Sequence, residues 1–295
     1  MYAKKRKEDG LYQSLDQHLF EVSALAGFYA NKLGLESCGK LLGLLHDLGK
    51  GHQNFQDYLI NDLVHLRGKI DHSTAGAQWL NQHIKSGWAK EILSLCLVSH
   101  HGGLLDVVDP DGKAVLDDRI KKPIDLEQVL SKTATIISDA QKLLSEAEKE
   151  ILAKLKEISA FANKSQRITY FYTSCLIRSL FSCLVDADHT SSADFEFKLG
   201  ARLRRRQYDW QQFIDIFEKF IQELQPQKSI DFVRQQVSSE CLARANQPRG
   251  IYTLTVPTGG GKTFSSFRYA LHHAKKHGLE RIFYIVPFTS IIDQN

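Results

Sequence analysis

The chain has 295 residues, 43% of them hydrophobic, which is enough apolar content for one large domain or two smaller ones. A net charge of +4 permits an anionic partner but does not demand one. The five cysteines show no C-x-x-C spacing, which argues against a zinc knot and predicts reduced thiols. The first ten residues are charged, and we expect no run as long as a membrane span. These features predict a cytoplasmic protein without membrane contact.

Helices are predicted along the first hundred residues, because apolar positions recur three and four apart. Ser14 is the expected N-cap of the first helix, and Gly34 follows its end. The second helix covers residues 38–46, the third begins near Ser73, and the fourth covers 88–100 before a Gly-Gly stop.

A longer helix is predicted over residues 166–188, and its nearly all-round apolar surface makes it the expected central, buried helix. The charged amphipathic stretch 126–158 predicts one or two peripheral helices. The polar stretch 106–123 predicts a loop with a turn at 109–112. The predicted fold class of this part is mainly α, a helical bundle.

The composition changes after about Gln225. A helix is predicted over 230–245, and then a buried strand at 250–256, a glycine-rich loop, a helix to about His277 and a second strand at 281–286. This order predicts the start of a parallel α/β sheet. One such unit buries too little surface by itself, so either it packs on the helical domain or the chain is a fragment of a longer protein, and we expect the fragment. The predicted domains are 1–205, a helical linker 206–247, and an incomplete RecA-like segment 248–295.

The adjacent pair His46-Asp47 ends an apolar helical run, and further histidines and an aspartate accompany it along the helical part. The candidate metal ligands offer five imidazoles and two carboxylates: His18, His46, Asp47, His72, His100, His101 and Asp186. Each residue alone is more simply a core, capping or surface side chain. Their joint occurrence predicts two divalent cations that share a bridging carboxylate, the usual apparatus for phosphodiester hydrolysis.

Asp47 is the expected bridge and a catalytic residue, because its two oxygens can face two ions. His18, His46 and Asp186 would complete one site, and the other three histidines the second. Mixed imidazole and carboxylate ligands suit manganese, iron, cobalt, nickel or zinc. Lys50 is the second expected catalytic residue, since its ammonium could offset charge that grows on the scissile phosphate.

A phosphate-binding loop is predicted between the strand at 250–256 and the next helix. Its residues are Thr258, Gly259, Gly260, Gly261, Lys262 and Thr263. Glycines let backbone N–H groups surround a polyphosphate, the lysine reaches its terminal phosphates, and the threonine can ligate magnesium, so ATP and Mg²⁺ are expected ligands. Val256 replaces the usual first glycine, and T-G-G-G-K-T resembles the superfamily 2 helicase form of the loop. A glycine-rich linker is the alternative.

The order of these motifs resembles a known family. His18, His46-Asp47, Asp71-His72-Ser73, Ser99-His100-His101-Gly102 and Val185-Asp186-Ala187-Asp188 resemble the HD nuclease domain of the CRISPR-associated nuclease–helicase of type I systems. Residues 256–263 and 285–294 resemble the first two motifs of its helicase part. The resemblance implies cleavage of single-stranded DNA, ATP-driven 3'-to-5' translocation, and recruitment by an RNA-guided surveillance complex. We expect a monomer that lacks helicase activity by itself.

Two other functions remain open at this point. The first is an HD-type phosphohydrolase of nucleotides or cyclic nucleotides, whose ligands would look similar, although the helicase-like loop argues against it. The second is a non-catalytic docking module stabilised by metals. The histidines exceed what one structural zinc needs, which argues against this second alternative.

Overall fold

The computed structural model describes residues 1–66, 68–163, 165–197 and 209–285. Two compact units divide the chain, Met1–Arg204 and Arg205–Asn295. The predicted domain limit at 205/206 lies outside the described residues, as does the second helicase-like motif from residue 286 onward.

The first unit is almost entirely helical, which confirms the mainly α prediction. Its helices are α1 (Leu15–Asn31), α2 (Glu36–Leu45), α3 (Gln53–Ile60), α4 (Thr74–His83), α5 (Gly87–Ser99), α6 (Val115–Ile120), α7 (Leu126–Lys132), α8 (Ala134–Phe161) and α9 (Gln166–Glu196). Short 3₁₀ turns occur at Leu48–Gly51 and Val64–Leu66. The strands β1 (Tyr2–Lys5) and β2 (Tyr12–Ser14) form an antiparallel hairpin before α1. Helix α6 lies where the sequence predicted only a loop.

The ends of the helices follow local chemistry. The Ser14 hydroxyl accepts a hydrogen bond from the Gln17 amide and caps α1, as predicted. Gly34, in the left-handed conformation, follows the end of the same helix. The stretch 126–158 forms two helices, α7 and α8, and α8 packs on α2, where the Cys38 thiol donates a hydrogen bond to the Ala147 carbonyl (3.1 Å).

The central helix is α2, and the prediction of a central α9 is wrong. The apolar residues of α2 are buried on all sides, and the helix contacts α1, α5, α8 and α9. On α9 the buried residues form one narrow stripe, while Ile168, Tyr170 and Phe171 are exposed. Hydrophobicity all round the helix therefore did not predict burial, because the other elements cover only one face of α9.

Helix α9 also corrects the expectation that no run is as long as a membrane span. By length and composition alone it could cross a bilayer, with a mean hydropathy of 1.4 in its most apolar window. Core helices of soluble proteins pass the same test, so this evidence is weak. The C-terminal half of α9 packs on α1 and buries Asp188 and Ser191 within the helical unit.

The contact between α1 and α2 requires a glycine at position 43. A β-carbon built on Gly43 would lie 2.4 Å from the Ser23 Cα and 2.5 Å from the Ser23 nitrogen, both backbone atoms of α1. Backbone atoms cannot move away as a side chain can. The two helices can therefore approach closely at this point because residue 43 has no side chain, and this approach places the end of α2 beside α1.

The second unit contains α10 (Trp210–Glu223), α11 (Ser229–Arg244) and α12 (Lys262–His277). Helices α10 and α11 both pack on α12. The Glu218 carboxylate of α10 accepts hydrogen bonds from Arg268 and His272 of α12. The predicted helices at 230–245 and up to His277 are confirmed.

The two predicted strands of this unit are wrong within the described residues. Residues 251–257 and 281–285 form neither helix nor strand, and Ile251 and Ile285 are almost fully exposed. A parallel strand needs neighbouring strands to satisfy its backbone groups and to cover its side chains. Among the described residues of the unit, neither segment pairs with the other or with a further strand.

Replacing Gly43 by Ala should destabilise the protein by about 1–3 kcal/mol, because the added methyl group overpacks the contact between α1 and α2. Chemical denaturation followed by circular dichroism measures the change. Gly87→Ala is the matched control, since no atom lies within 4 Å of the position that its β-carbon would take. That control should be neutral or stabilise by up to about 1 kcal/mol. Equal effects of both substitutions would contradict the close approach.

Candidate metal centre and phosphate loop

The candidate ligands lie on separate elements that meet at the end of α2. His18 is in the first turn of α1, and His46 and Asp47 directly follow α2. His72 lies in the loop before α4. His100 and His101 follow α5. Helix α9 contributes Asp188. The packing of the helical bundle therefore brings together residues that are far apart in the sequence.

The two oxygens of the buried Asp47 carboxylate face different imidazoles. Toward Oδ2 point the Nε2 atoms of His18 (3.5 Å) and His46 (3.3 Å). Toward Oδ1 point the Nε2 atoms of His72 (3.7 Å), His100 (3.4 Å) and His101 (3.6 Å). The same division into two ligand groups was predicted from the sequence, with Asp47 between them.

The predicted ligand Asp186 is wrong, and Asp188 occupies its place. Asp186 is exposed, whereas Asp188 Oδ1 lies 3.4 Å from His18 Nε2 and 3.7 Å from His46 Nε2. Residues two apart in a helix point in directions about 200° apart, so only one of these two aspartates can face the site. Asp188 follows Leu184 by four residues, on the buried stripe that continues to Ser191. That spacing was the signal that the sequence offered.

The orientation of the histidine rings leaves Nε2 free to bind a cation. His46 Nδ1 lies 2.9 Å from the Gly43 carbonyl, and His100 Nδ1 lies 2.7 Å from the Leu97 carbonyl. A carbonyl only accepts hydrogen bonds, so Nδ1 carries the proton in both rings. In the neutral rings the Nε2 lone pairs then point at Asp47.

Buried polar atoms without hydrogen-bond partners gather at this point. Among the described residues they are His18 Nε2, His46 Nε2, His100 Nε2 and Asp47 Oδ1, whereas Asp47 Oδ2 has the Lys50 ammonium as a counter-charge 2.6 Å away. Such atoms are costly to bury unless a counter-charge or metal satisfies them. The ligand atoms of His18, His46, Asp47 and Asp188 lie within 4.8 Å of one another, and so do those of Asp47, His72 and His101. The donor set therefore fits divalent cations.

Burial disfavours the protonated form of the imidazoles. It lowers the pKa of His18, His72 and His100 and favours the neutral rings that bind metals. At His46 burial acts in the same sense, but the carboxylates of Asp47 and Asp188 outweigh it and raise the pKa to about 10. A proton on His46 Nε2 thus occupies the position between two carboxylates that a cation would take.

The carboxylates themselves remain ionised. Burial alone would raise the pKa of Asp47, but the positive charges of Lys50 and His46 hold it well below the usual range. The Lys50 ammonium lies 2.6 Å from Asp47 Oδ2, so the predicted catalytic lysine does reach the cluster. Burial likewise opposes the charge on Asp188, and the hydrogen bond and charge of His46 lower its pKa nevertheless.

Gly49 allows the loop that carries His72 to approach Asp47. The Gly49 amide donates a hydrogen bond to the His72 carbonyl (3.1 Å), and a β-carbon on Gly49 would lie 2.6 Å from that oxygen. The turn after Asp47 can therefore pass directly beside the loop before α4. On the other side of His72, Asp71 accepts hydrogen bonds from Thr74 and pairs with Arg119 (2.9 Å).

An open cleft of about 700 Å³ lies on the His72 and His101 side of the cluster. These two rings are the exposed ones, at 19% and 47%, whereas the Asp47 side chain is 1% exposed. The charged residues that line the cleft are Lys69, Asp71, Lys113, Asp118, Arg119 and Lys122. Four cations against two carboxylates give the cleft a net positive charge, so it suits an anionic ligand.

In the second unit, the predicted phosphate loop precedes α12 as expected. Gly259 and Gly261 have φ values of 83° and 82°, a conformation that favours glycine. Lys262 and Thr263 are exposed at the first positions of α12, where free N–H groups can receive a phosphate. Arg234 of α11, which the sequence analysis did not identify, donates a hydrogen bond to the Gly259 carbonyl (2.8 Å).

Asp188→Asn should weaken binding of divalent transition metals, because it removes one of the carboxylate charges that offset the buried cations. Asp186→Asn, two residues away and exposed, is the matched control and should bind metals like the parent. Metal analysis after dialysis measures the difference. A loss in the Asp186 variant with retention in the Asp188 variant would reverse the assignment.

Comparison with known families agrees with this arrangement. Residues 15–146 match the HD domain family, and residues 205–295 match the family described as type III restriction enzyme, res subunit, which is of the superfamily 2 helicase type. No curated protein matches the chain. HD domains bind divalent metals, and all members of the His/Asp cluster except Asp188 lie within the matched range 15–146. An HD domain match followed by a RecA-like, superfamily 2 helicase-type match fits an HD nuclease–helicase architecture, and the His/Asp cluster indicates a metal-dependent hydrolase.

Proposed function

We propose that the protein is a metal-dependent nuclease that cleaves single-stranded DNA at the cluster around Asp47. The observation that carries the proposal is the division of imidazoles between the two Asp47 oxygens, two on one side and three on the other. Two cations that share one carboxylate are the usual apparatus for phosphodiester hydrolysis.

The residues that would hold the ions are His18, His46, Asp47 and Asp188 on one side, and His72, His100 and His101 with Asp47 on the other. Manganese, iron, cobalt, nickel or zinc suits this mixture of imidazoles and carboxylates. When bound, such ions supply a hydroxide nucleophile at neutral pH and polarise the phosphodiester.

The protein contributes orientation and charge. The backbone carbonyls that hold His46 and His100 keep the rings aimed at Asp47. Lys50 carries the positive charge nearest to Asp47 and can offset negative charge that grows on the scissile phosphate. His18 and His46 are buried, whereas the cleft beside His72 and His101 is open, so a substrate approaches from the side of His72 and His101.

The basic cleft supports a polynucleotide as the substrate. The lysines at 69, 113 and 122 lie along it, and in the pairs Lys113–Asp118 and Lys122–Asp71, both 3.5 Å long, the lysine side chains are exposed. Exposed pairs of this kind contribute little stability, so the ammonium groups can exchange their carboxylate partners for phosphates. Several cations spread along an open cleft suit successive phosphates of a strand better than one small nucleotide.

The helicase-type segment supports a role in DNA processing. In this proposal, the loop Thr258–Thr263 binds ATP and Mg²⁺, and 3'-to-5' translocation feeds the strand to the nuclease. The resemblance to the type I CRISPR nuclease–helicase supports recruitment by an RNA-guided surveillance complex, in the cytoplasm and as a monomer.

Asp47→Ala should abolish metal-dependent cleavage of circular single-stranded DNA, because it removes the carboxylate that both ligand groups share. Agarose gels with added Mn²⁺, Co²⁺ or Ni²⁺ measure the cleavage. Asp16→Ala, an exposed aspartate of α1, is the control and should cleave like the parent. Retained cleavage in the Asp47 variant contradicts the proposed site. Turnover of nucleotides or cyclic nucleotides without cleavage of DNA would instead favour the phosphohydrolase alternative.

Replacing Lys69, Lys113 and Lys122 together by Gln should reduce the salt dependence of DNA binding. Each lost phosphate contact lowers the slope of log K against log salt by about 0.7 for single strands, so three contacts lower it by about 2. Fluorescence anisotropy with a labelled oligonucleotide measures the slope for the full chain. The control replaces Lys142, Lys149 and Lys156 of α8, which removes the same charge elsewhere. Equal slopes in both triple variants would exclude the cleft as the binding surface.

A further inference from the structure

His18 differs from three of the other candidate ligands in how its ring is held. Backbone carbonyls accept the Nδ1 hydrogen bonds of His46, His72 and His100, at 2.7–2.9 Å. His18 Nδ1 instead lies 3.3 Å from a side chain, the hydroxyl oxygen of Ser191 on α9. Both residues are buried, His18 at 1% and Ser191 at 2% exposure.

The position of His18 in its helix explains this difference. The carbonyls of a helix point toward its C-terminal end, and only those of the last turn lack partners within the helix. His46 and His100 directly follow the ends of α2 and α5, so each ring reaches such a free carbonyl. His18 lies in the first turn of α1, where every carbonyl is engaged. An acceptor for its Nδ1 must therefore come from another element.

Glu21 fixes the orientation of the Ser191 hydroxyl group. The Ser191 Oγ donates its single hydrogen to Glu21 Oε2, 3.0 Å away. The Ser191 oxygen must then accept a hydrogen bond from His18 Nδ1. The ring proton therefore resides on Nδ1, and the Nε2 lone pair points at Asp47 and Asp188. The side-chain amides of Gln13 and Gln17 also donate to Glu21, at 3.0 and 2.8 Å, and hold this carboxylate in place.

We propose that Glu21 and Ser191 are positioning residues that set the tautomer and orientation of His18 for the cation on the Oδ2 side of Asp47. The inference rests on the proposed dinuclear site. The hydrogen-bond chain runs from Glu21 through Ser191 to His18, and neither positioning residue touches a cation itself. Partners of this kind typically change metal affinity about 10–100-fold.

The inference predicts an effect on one ion alone. The imidazoles that face Asp47 Oδ1 include His72 and His100, whose anchors are backbone carbonyls that no side-chain substitution removes. Loss of the Ser191 hydroxyl therefore weakens the cation position next to His18 and leaves the other position with its own anchors. A general loss of packing would weaken both positions together.

Cobalt titration of the metal-free full chain, followed by absorption of bound Co²⁺, tests this prediction. In the parent, two ions should bind. In Ser191→Ala, one of the two should bind about 10–100-fold more weakly, while the other keeps its parental affinity. Ser179→Ala is the matched control on the same helix, because its hydroxyl bonds only to the Cys175 carbonyl of α9. It should bind both ions as the parent does.

A second variant and a second measurement keep the test independent of folding and of cobalt. Glu21→Gln retains the shape of the side chain, and Gln17→Ala, which removes a different hydrogen bond to the same carboxylate, is its control. Histidine ¹⁵N NMR of the metal-free protein reports the tautomer of His18 directly. The parent should show Nδ1–H alone, and both Ser191→Ala and Glu21→Gln should show a mixture.

The two measurements separate the inference from the proposed function. An unchanged His18 tautomer in both variants overturns the inference, and so does equal weakening of both cobalt ions in a folded Ser191→Ala protein. A parent that binds no cobalt overturns the dinuclear site instead. The tautomer measurement still decides the role of Glu21 and Ser191 in that case, because it needs no metal.

Discussion

The burial of the Asp47 carboxylate is the constraint on which the helical unit depends. An ionised carboxylate withdrawn from water costs several kcal/mol unless positive charge or hydrogen bonds compensate it. Five imidazoles and the Lys50 ammonium face Asp47, and they come from elements spread between residues 18 and 101. The compensation exists only when α1, α2 and α5 pack together. The fold and the candidate site therefore depend on each other.

The two sides of Asp47 differ in access. Around Oδ2 the side chains of His18 and His46 are almost completely buried. Around Oδ1, His72 and His101 reach an open cleft with an excess of positive charge. One carboxylate thus separates a closed, protein-bound environment from an open one. This asymmetry suits a reaction in which one cation is held permanently and the other meets the substrate.

Much of the site could be predicted from the sequence, because chemistry-bearing residues at helix ends leave recognisable patterns. His46-Asp47 after an apolar helix and His100-His101 before two glycines are such patterns, and their grouping around Asp47 agrees with the structure. The choice between Asp186 and Asp188 failed because it depends on which face of α9 is covered. That face is decided by packing against α1, and an amphipathic pattern is weak in a helix that is apolar nearly all round.

The predicted strands failed for a related reason. Residues 250–256 have the composition of a buried strand, but a strand forms through pairing with neighbours that a local pattern does not contain. The glycine-rich loop between those segments does precede a helix, because two glycines with positive φ and a helix start suffice for such a turn. Local turn chemistry was predictable, whereas pairing over long distances was not.

The Nδ1 hydrogen bonds of His46 and His100 to backbone carbonyls couple the positions of these rings to the positions of their helices. Each ring is fixed to a carbonyl of its own helix, so ring and anchor move together as a rigid arm when the helix moves. The spacing between the imidazole nitrogens is then governed by the distance between helices rather than by rotation of the side chains. Contacts such as Gly43 against Ser23 set that distance. The ionic radius that fits the cluster thus depends on how closely the backbones of neighbouring helices approach each other.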